Sequence, residues 1–101
     1  MKMKMTSPLL FSLLIALPGV AAAESNHQQE ARAINEAKVT LAQAVQTAES
    51  ETGAKAVEVD FDREKNVWGY EVTTLKPGTK YELFIDASTG EVISRKEEQK
   101  Q

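Results

Sequence analysis

Cysteine is absent, and histidine occurs once among 101 residues. Without a thiol the chain offers no disulfide, no thiol nucleophile, no thiolate metal site and no attachment point for a lipoprotein anchor. A small exported domain that lacks disulfides must stand on packing and sheet hydrogen bonds alone. The single histidine, His27, lies in a polar stretch with no second imidazole to join it, and zinc needs several convergent ligands. Long apolar runs are also missing. The longest, Leu9 to Leu17 (LLFSLLIAL), falls well short of the roughly 20 residues that span a bilayer.

That short run is the centre of a secretory signal pattern. Lys2 and Lys4 precede it, Pro18-Gly19 break it, and Ala21-Ala22-Ala23 supply small residues for cleavage. Residues 1–23 therefore read as a signal peptide, and the exported chain is expected to begin at Glu24. It carries 10 Lys and Arg against 15 Asp and Glu, a formal charge of −5. A net acidic chain lacks the basic surface that nucleic-acid binding requires. It is equally unsuited to anionic lipid, so no nucleic-acid or membrane partner is expected after cleavage.

Residues 24–30 (ESNHQQE) show no apolar period and read as a mobile leader. Residues 31–38 are helix-compatible, which leaves open whether they extend the next helix; the leader as a whole spans 24–37 and is open to being part helical. A main helix starts at Thr40, where Thr40 and Gln43 form a T-x-x-Q capping box. Leu41, Ala44, Val45 and Ala48 then repeat at helical spacing. Gly53 stands where a left-handed closing residue belongs.

After Gly53 the period becomes two. Val57, Val59 and Phe61 alternate with Glu58, Asp60 and Asp62, and Arg63 to Asn66 form a charged turn. Trp68, Tyr70 and Val72 define a second strand. Lys76-Pro77-Gly78-Thr79 fit a type II turn. Tyr81, Leu83 and Ile85 define a third strand, and Asp86 to Gly90 form a tight loop with Gly90 at positive φ. Val92 and Ile93 begin a short fourth strand, and residues 97–101 are expected to fray. The short loops dictate an antiparallel meander. The fold class is α+β: one main helix packed on one face of a three- to four-stranded sheet, with the other face uncovered. The expected core is Leu41, Ala44, Val45, Ala48, Val57, Val59, Phe61, Tyr70, Val72, Tyr81, Leu83 and Ile85.

Three segments in this order resemble the PepSY domain family over residues 38–96. They are V-T-L-A-Q-A-V-Q-T-A (Val39 to Ala48) closed by Gly53, G-Y-E-V (Gly69 to Val72), and Y-E-L-F-I-D-A-S-T-G-E-V-I (Tyr81 to Ile93). The resemblance implies a module found in propeptides of thermolysin-like metallopeptidases, in membrane proteins and as free exported units. It also implies a role in inhibiting or regulating peptidases, with no catalytic motif and no cofactor. No peptidase follows in this sequence, so the expected action is in trans, on an exported peptidase or another envelope protein.

The residues offer few competing chemistries. Serines and threonines lack a partner base, so no catalytic residue is assigned and no enzyme activity is expected. Asp60, Asp62, Glu64, Asn66 and Glu71 imitate a calcium loop, but Lys65 replaces the required glycine and the flanks are strands. No metal site is assigned. Trp68, Tyr70 and Tyr81 at alternate positions read as core, with Trp68 near the sheet end as the exception most open to a ligand. The uncovered sheet face should present Glu58, Asp60, Gly69, Glu71, Thr73, Glu82 and Phe84, with Ile93 or Arg95 at its edge. One exposed aromatic can be inert. Phe84 within an acidic rim of Glu82, Glu71, Glu58 and Asp60 is also the composition of a partner anchor. The alternative for the same face is a small-ligand or cation-binding module.

Overall fold

The computed structural model describes residues 25–99. The expected signal peptide, residues 1–23, and the expected cleavage before Glu24 lie outside the described residues. The chain forms α1 (Asn26–Glu36), α2 (Leu41–Thr52), β1 (Lys55–Glu64), β2 (Val67–Lys76), β3 (Thr79–Asp86) and β4 (Val92–Gln99). The strands pair antiparallel in the order β1-β2-β3-β4, a meander with two open edges. The α+β class is the expected one.

Thr40 caps α2 as its sequence requires. Its hydroxyl accepts from the Gln43 amide at 3.1 Å, and the Gln43 side chain accepts from the Thr40 amide at 2.9 Å. Gly53 ends the helix at φ 68°. Ala44, Ala48 and Thr52 form its buried stripe. The alanines let the helix backbone approach the sheet, where Tyr70, Val72, Tyr81, Leu83 and Ile85 complete the core. At this small size the helix covers one sheet face and no more.

Four expectations need correction. Residues 26–30, expected to be mobile, join the helix-compatible residues after them in one helix, 26–36: Ser25 and Gln28 form a second capping box, with bonds of 3.1 and 3.2 Å. This α1 does not extend α2, because Ala37 leaves the helical region at ψ 137°. Leu41 is 45% exposed. It shares the angular stripe of Ala44 and Ala48, so its place in the first turn, not its direction, leaves it uncovered. Val57 is 58% exposed because it is the extra residue of a β-bulge. Ala56 faces Thr74 and Glu58 faces Thr73, so Ala56 takes the inward place that alternation gives to Val57. Finally, β4 runs to Gln99 with Glu97 opposite Tyr81, so fraying does not begin at residue 97.

The turns follow local chemistry. Lys65 and Asn66 both have positive φ, 51° and 68°. That is the two-residue hairpin geometry that matches strand twist, and it lets β1 continue through Glu64. Gly78 and Gly90 stand at φ 82° and 83°. In the β3–β4 loop the Asp86 carboxylate accepts from the amides of Ser88 and Thr89 at 2.7 and 3.2 Å.

Candidate functional site

The open face of the sheet is built in rows by strand register. Asp60, Glu71, Phe84 and Ser94 form one row across the four strands. Glu58, Thr73, Glu82 and Lys96 form the next, and Asp62, Gly69 and Asp86 the one on the other side. All five residues expected at a partner surface therefore share one face. Glu58, Asp60, Glu71 and Glu82 supply carboxylates at or near solvent.

Phe84 does not behave as an exposed anchor. It is only 3% exposed, although its neighbours Leu83 and Ile85 belong to the opposite, helix-covered face. The reason is Gly69. A side-chain carbon placed on Gly69 would meet the Phe84 ring at 2.7 Å and the Ile85 carbonyl oxygen closer still. The ring therefore lies on the bare backbone of Gly69, where any other residue would have stood. Aromatic cover of a strand glycine is a known way to bury a ring on a face without a second layer. The sequence pattern placed the ring on the correct face, but alternation alone carries no information about a diagonal neighbour.

The site is more acidic than the expected residues indicate. Burial raises the pKa of Glu71, and the charges of Glu64, Glu82, Asp60 and Asp62 raise it further. Asp62 follows the alternation already read for this strand, and Glu64 joins the face because the strand continues to Glu64, so that the turn at Lys65-Asn66 is shorter than the expected turn Arg63 to Asn66. Compensation is thin: Lys80 Nζ lies 3.5 Å from Glu82, and Lys96 sits opposite Glu82 on β4. A hollow of about 80 Å³ lies between Glu71, Glu82, Phe84, Ser94 and Lys96. Among the described residues, no three histidine, aspartate or glutamate side chains are grouped so as to hold a metal ion.

The helix side carries the aromatics. Trp68 stacks on Phe61 at 5.2 Å and 11°, Phe61 meets Tyr70 at 5.2 Å, and the Arg63 guanidinium lies 5.2 Å from the Trp68 ring. Tyr70 is buried, which raises its phenol pKa, and its hydroxyl donates to the Val39 carbonyl at 2.7 Å. Tyr70 belongs to the core and Phe61 packs against it, whereas Trp68 is half-buried outside it at the sheet end.

Against known proteins, residues 38–96 match the family model described as "Peptidase propeptide and YPEB domain", PepSY. The chain belongs to the PepSY family. The match starts at Lys38, so the PepSY unit comprises α2 and the sheet, and α1 lies before it. Among solved structures the chain is similar to a candidate lipoprotein of Clostridium difficile 630, with a TM-score of 0.60 and 25% identity. The alignment covers 64% of this chain and 42% of that one, so this chain spans less than half the length of its solved neighbour. No curated protein matches. Family and neighbour together support an exported or envelope PepSY module. No helix among the described residues is long and apolar enough to cross a membrane.

Proposed function

We propose that this PepSY protein is an exported, non-catalytic binding module that modulates a peptidase in trans through the open face of its sheet. The family supports the class of target. The observation that carries the choice of face is the strand register, which gathers Glu58, Asp60, Glu71 and Glu82 on a face without a covering layer, where burial and the neighbouring carboxylates raise the pKa of Glu71. Repulsion among these groups is a cost in the free protein, and a cationic partner surface would relieve it. Glu58, Asp60, Glu71 and Glu82 supply the contacts, with Asp62 and Glu64 beside them. Phe84 packs within the face over Gly69 and, at 3% exposure, presents little surface for a contact. The test is inhibition of peptidases exported by the same cell. Purified protein should reduce the activity of one of them, and the doubly neutralised variant Glu71→Gln/Glu82→Gln should weaken that effect while remaining folded. Equal potency of variant and wild type would reject this face.

A further inference from the structure

Strand β1 lies at an edge of the sheet and pairs on one side only, with β2. Glu64 and Val67 flank the two-residue turn and stand opposite each other, which makes them a hydrogen-bonded pair. Counting back from that pair, Asp62, Asp60 and Glu58 bond to β2, while Arg63, Phe61 and Val59 turn their amides and carbonyls out to the edge. The chain closes both ends of this row with its own carboxylates. The Arg63 amide donates to the Asp62 carboxylate at 2.7 Å, and the Ala56 amide donates to the Glu49 carboxylate of α2 at 2.8 Å. Helix α1 stands beside Asp62 and Arg63, and the bulge at Val57 sets the other limit. Between these limits, among the described residues, no helix, loop or side-chain group hydrogen-bonds to the backbone of Val59 or Phe61. Native edges are commonly blunted by lysine or proline. From Ala56 to Asp62 this edge has neither.

We infer that this edge takes an extended segment of a partner protein as a further strand, with lysine or arginine at alternate positions beside Glu58, Asp60 and Asp62. The inference rests on the binding role proposed above and names the form of the partner. Main-chain bonds to Val59 and Phe61 give such a segment its hold, and its alternate side chains give the selection. On the open face the residues of β1 that it would meet are Glu58, Asp60 and Asp62, all acidic. Opposite charges directly across a strand pair are favourable and like charges are not. A second copy of β1 would set acid against acid, so the edge rejects its own kind. The other edge, β4, is a poor match, because on the same face it offers Lys96 together with Glu98. On the helix side the half-buried Val59 and Phe61 favour β-branched neighbours. The occupant is therefore an extended stretch in which basic and apolar residues alternate.

The probe is a short capped peptide of alternating lysine and valine, added to the full exported chain. Hydrogen exchange, read amide by amide by NMR, should slow at Val59 and Phe61 by about tenfold or more at saturation. The amides of Asp60 and Asp62, already bonded to β2, should change little. The same peptide with glutamate in place of lysine should not bind, and added salt should weaken binding of the lysine peptide. N-methylation of one alternate set of peptide amides should abolish binding and of the other set should preserve it, because only one set can face the edge. Equal binding by the two N-methylated isomers, with exchange at Val59 and Phe61 unchanged, would put the peptide on the open face and overturn the inference while leaving the proposed function intact. No binding of the lysine peptide would overturn it as well. Failure of the proposed function is read separately, as absence of peptidase inhibition in an assay without the peptide.

Discussion

At the scale of single residues, Phe84 and Gly69 act as one unit. A buried phenylalanine costs about 3–5 kcal/mol when cut to alanine, so Phe84→Ala should destabilise the domain on that scale in chemical denaturation. Gly69→Ala should destabilise as well, by the overpacking cost of about 1–3 kcal/mol or more. It should remain destabilising in the Phe84→Ala background, because the Ile85 carbonyl stays in the way after the ring is gone. Full rescue in the double variant would mean that the ring alone sets the need for glycine. Glu71 makes the opposite kind of claim. Its folded pKa lies above the ordinary 4.5, so the folded state holds its proton more tightly than the unfolded chain does. Stability therefore falls as pH rises from 4.5 through the raised value, and the penalty is complete above it. Glu71→Gln should stabilise the protein at neutral pH and lose that advantage below pH 4.5, as measured by urea midpoints across the range. A destabilised Glu71→Gln at neutral pH would contradict the electrostatic account of this face.

At the scale of elements, the two helices carry the same cap and differ in what they hold. Thr40→Ala removes the cap of a helix whose alanines are in the core, and should cost about 1 kcal/mol of global stability. Ser25→Ala removes the same kind of cap from α1 and should leave the global unfolding midpoint unchanged. Equal losses in both would show that α1 is part of the cooperative unit. The capping pattern of α2 is present equally at Ser25-x-x-Gln28, but α1 buries no residue, and without an apolar stripe a cap alone does not mark a helix in the sequence. Strand order and the positive φ at Gly53, Gly78 and Gly90 were legible because alternation and turn chemistry are local, whereas the positive φ at Lys65 and Asn66 was not, since neither is glycine and the charged run gave no turn type. The bulge at Val57 was not, since apolar Val57 fits the alternating pattern as well as Ala56 does. The burial of Phe84 was not legible either, since it depends on a contact between two strands.

At the scale of the whole molecule, a single small layer of helix on a four-stranded sheet leaves one face to solvent, and this chain fills that face with acid. The arrangement raises local repulsion and keeps the uncovered surface soluble. The account turns on whether that face is where a partner sits. Carbodiimide labelling of carboxylates, read residue by residue by mass spectrometry in the free protein and in the complex with the inhibited peptidase, measures this directly. The account predicts that Glu58, Asp60, Glu71 and Glu82 lose reactivity in the complex while Glu36 and Glu51 on the helix side keep theirs. Unchanged labelling of the four sheet carboxylates in a saturated complex would contradict it.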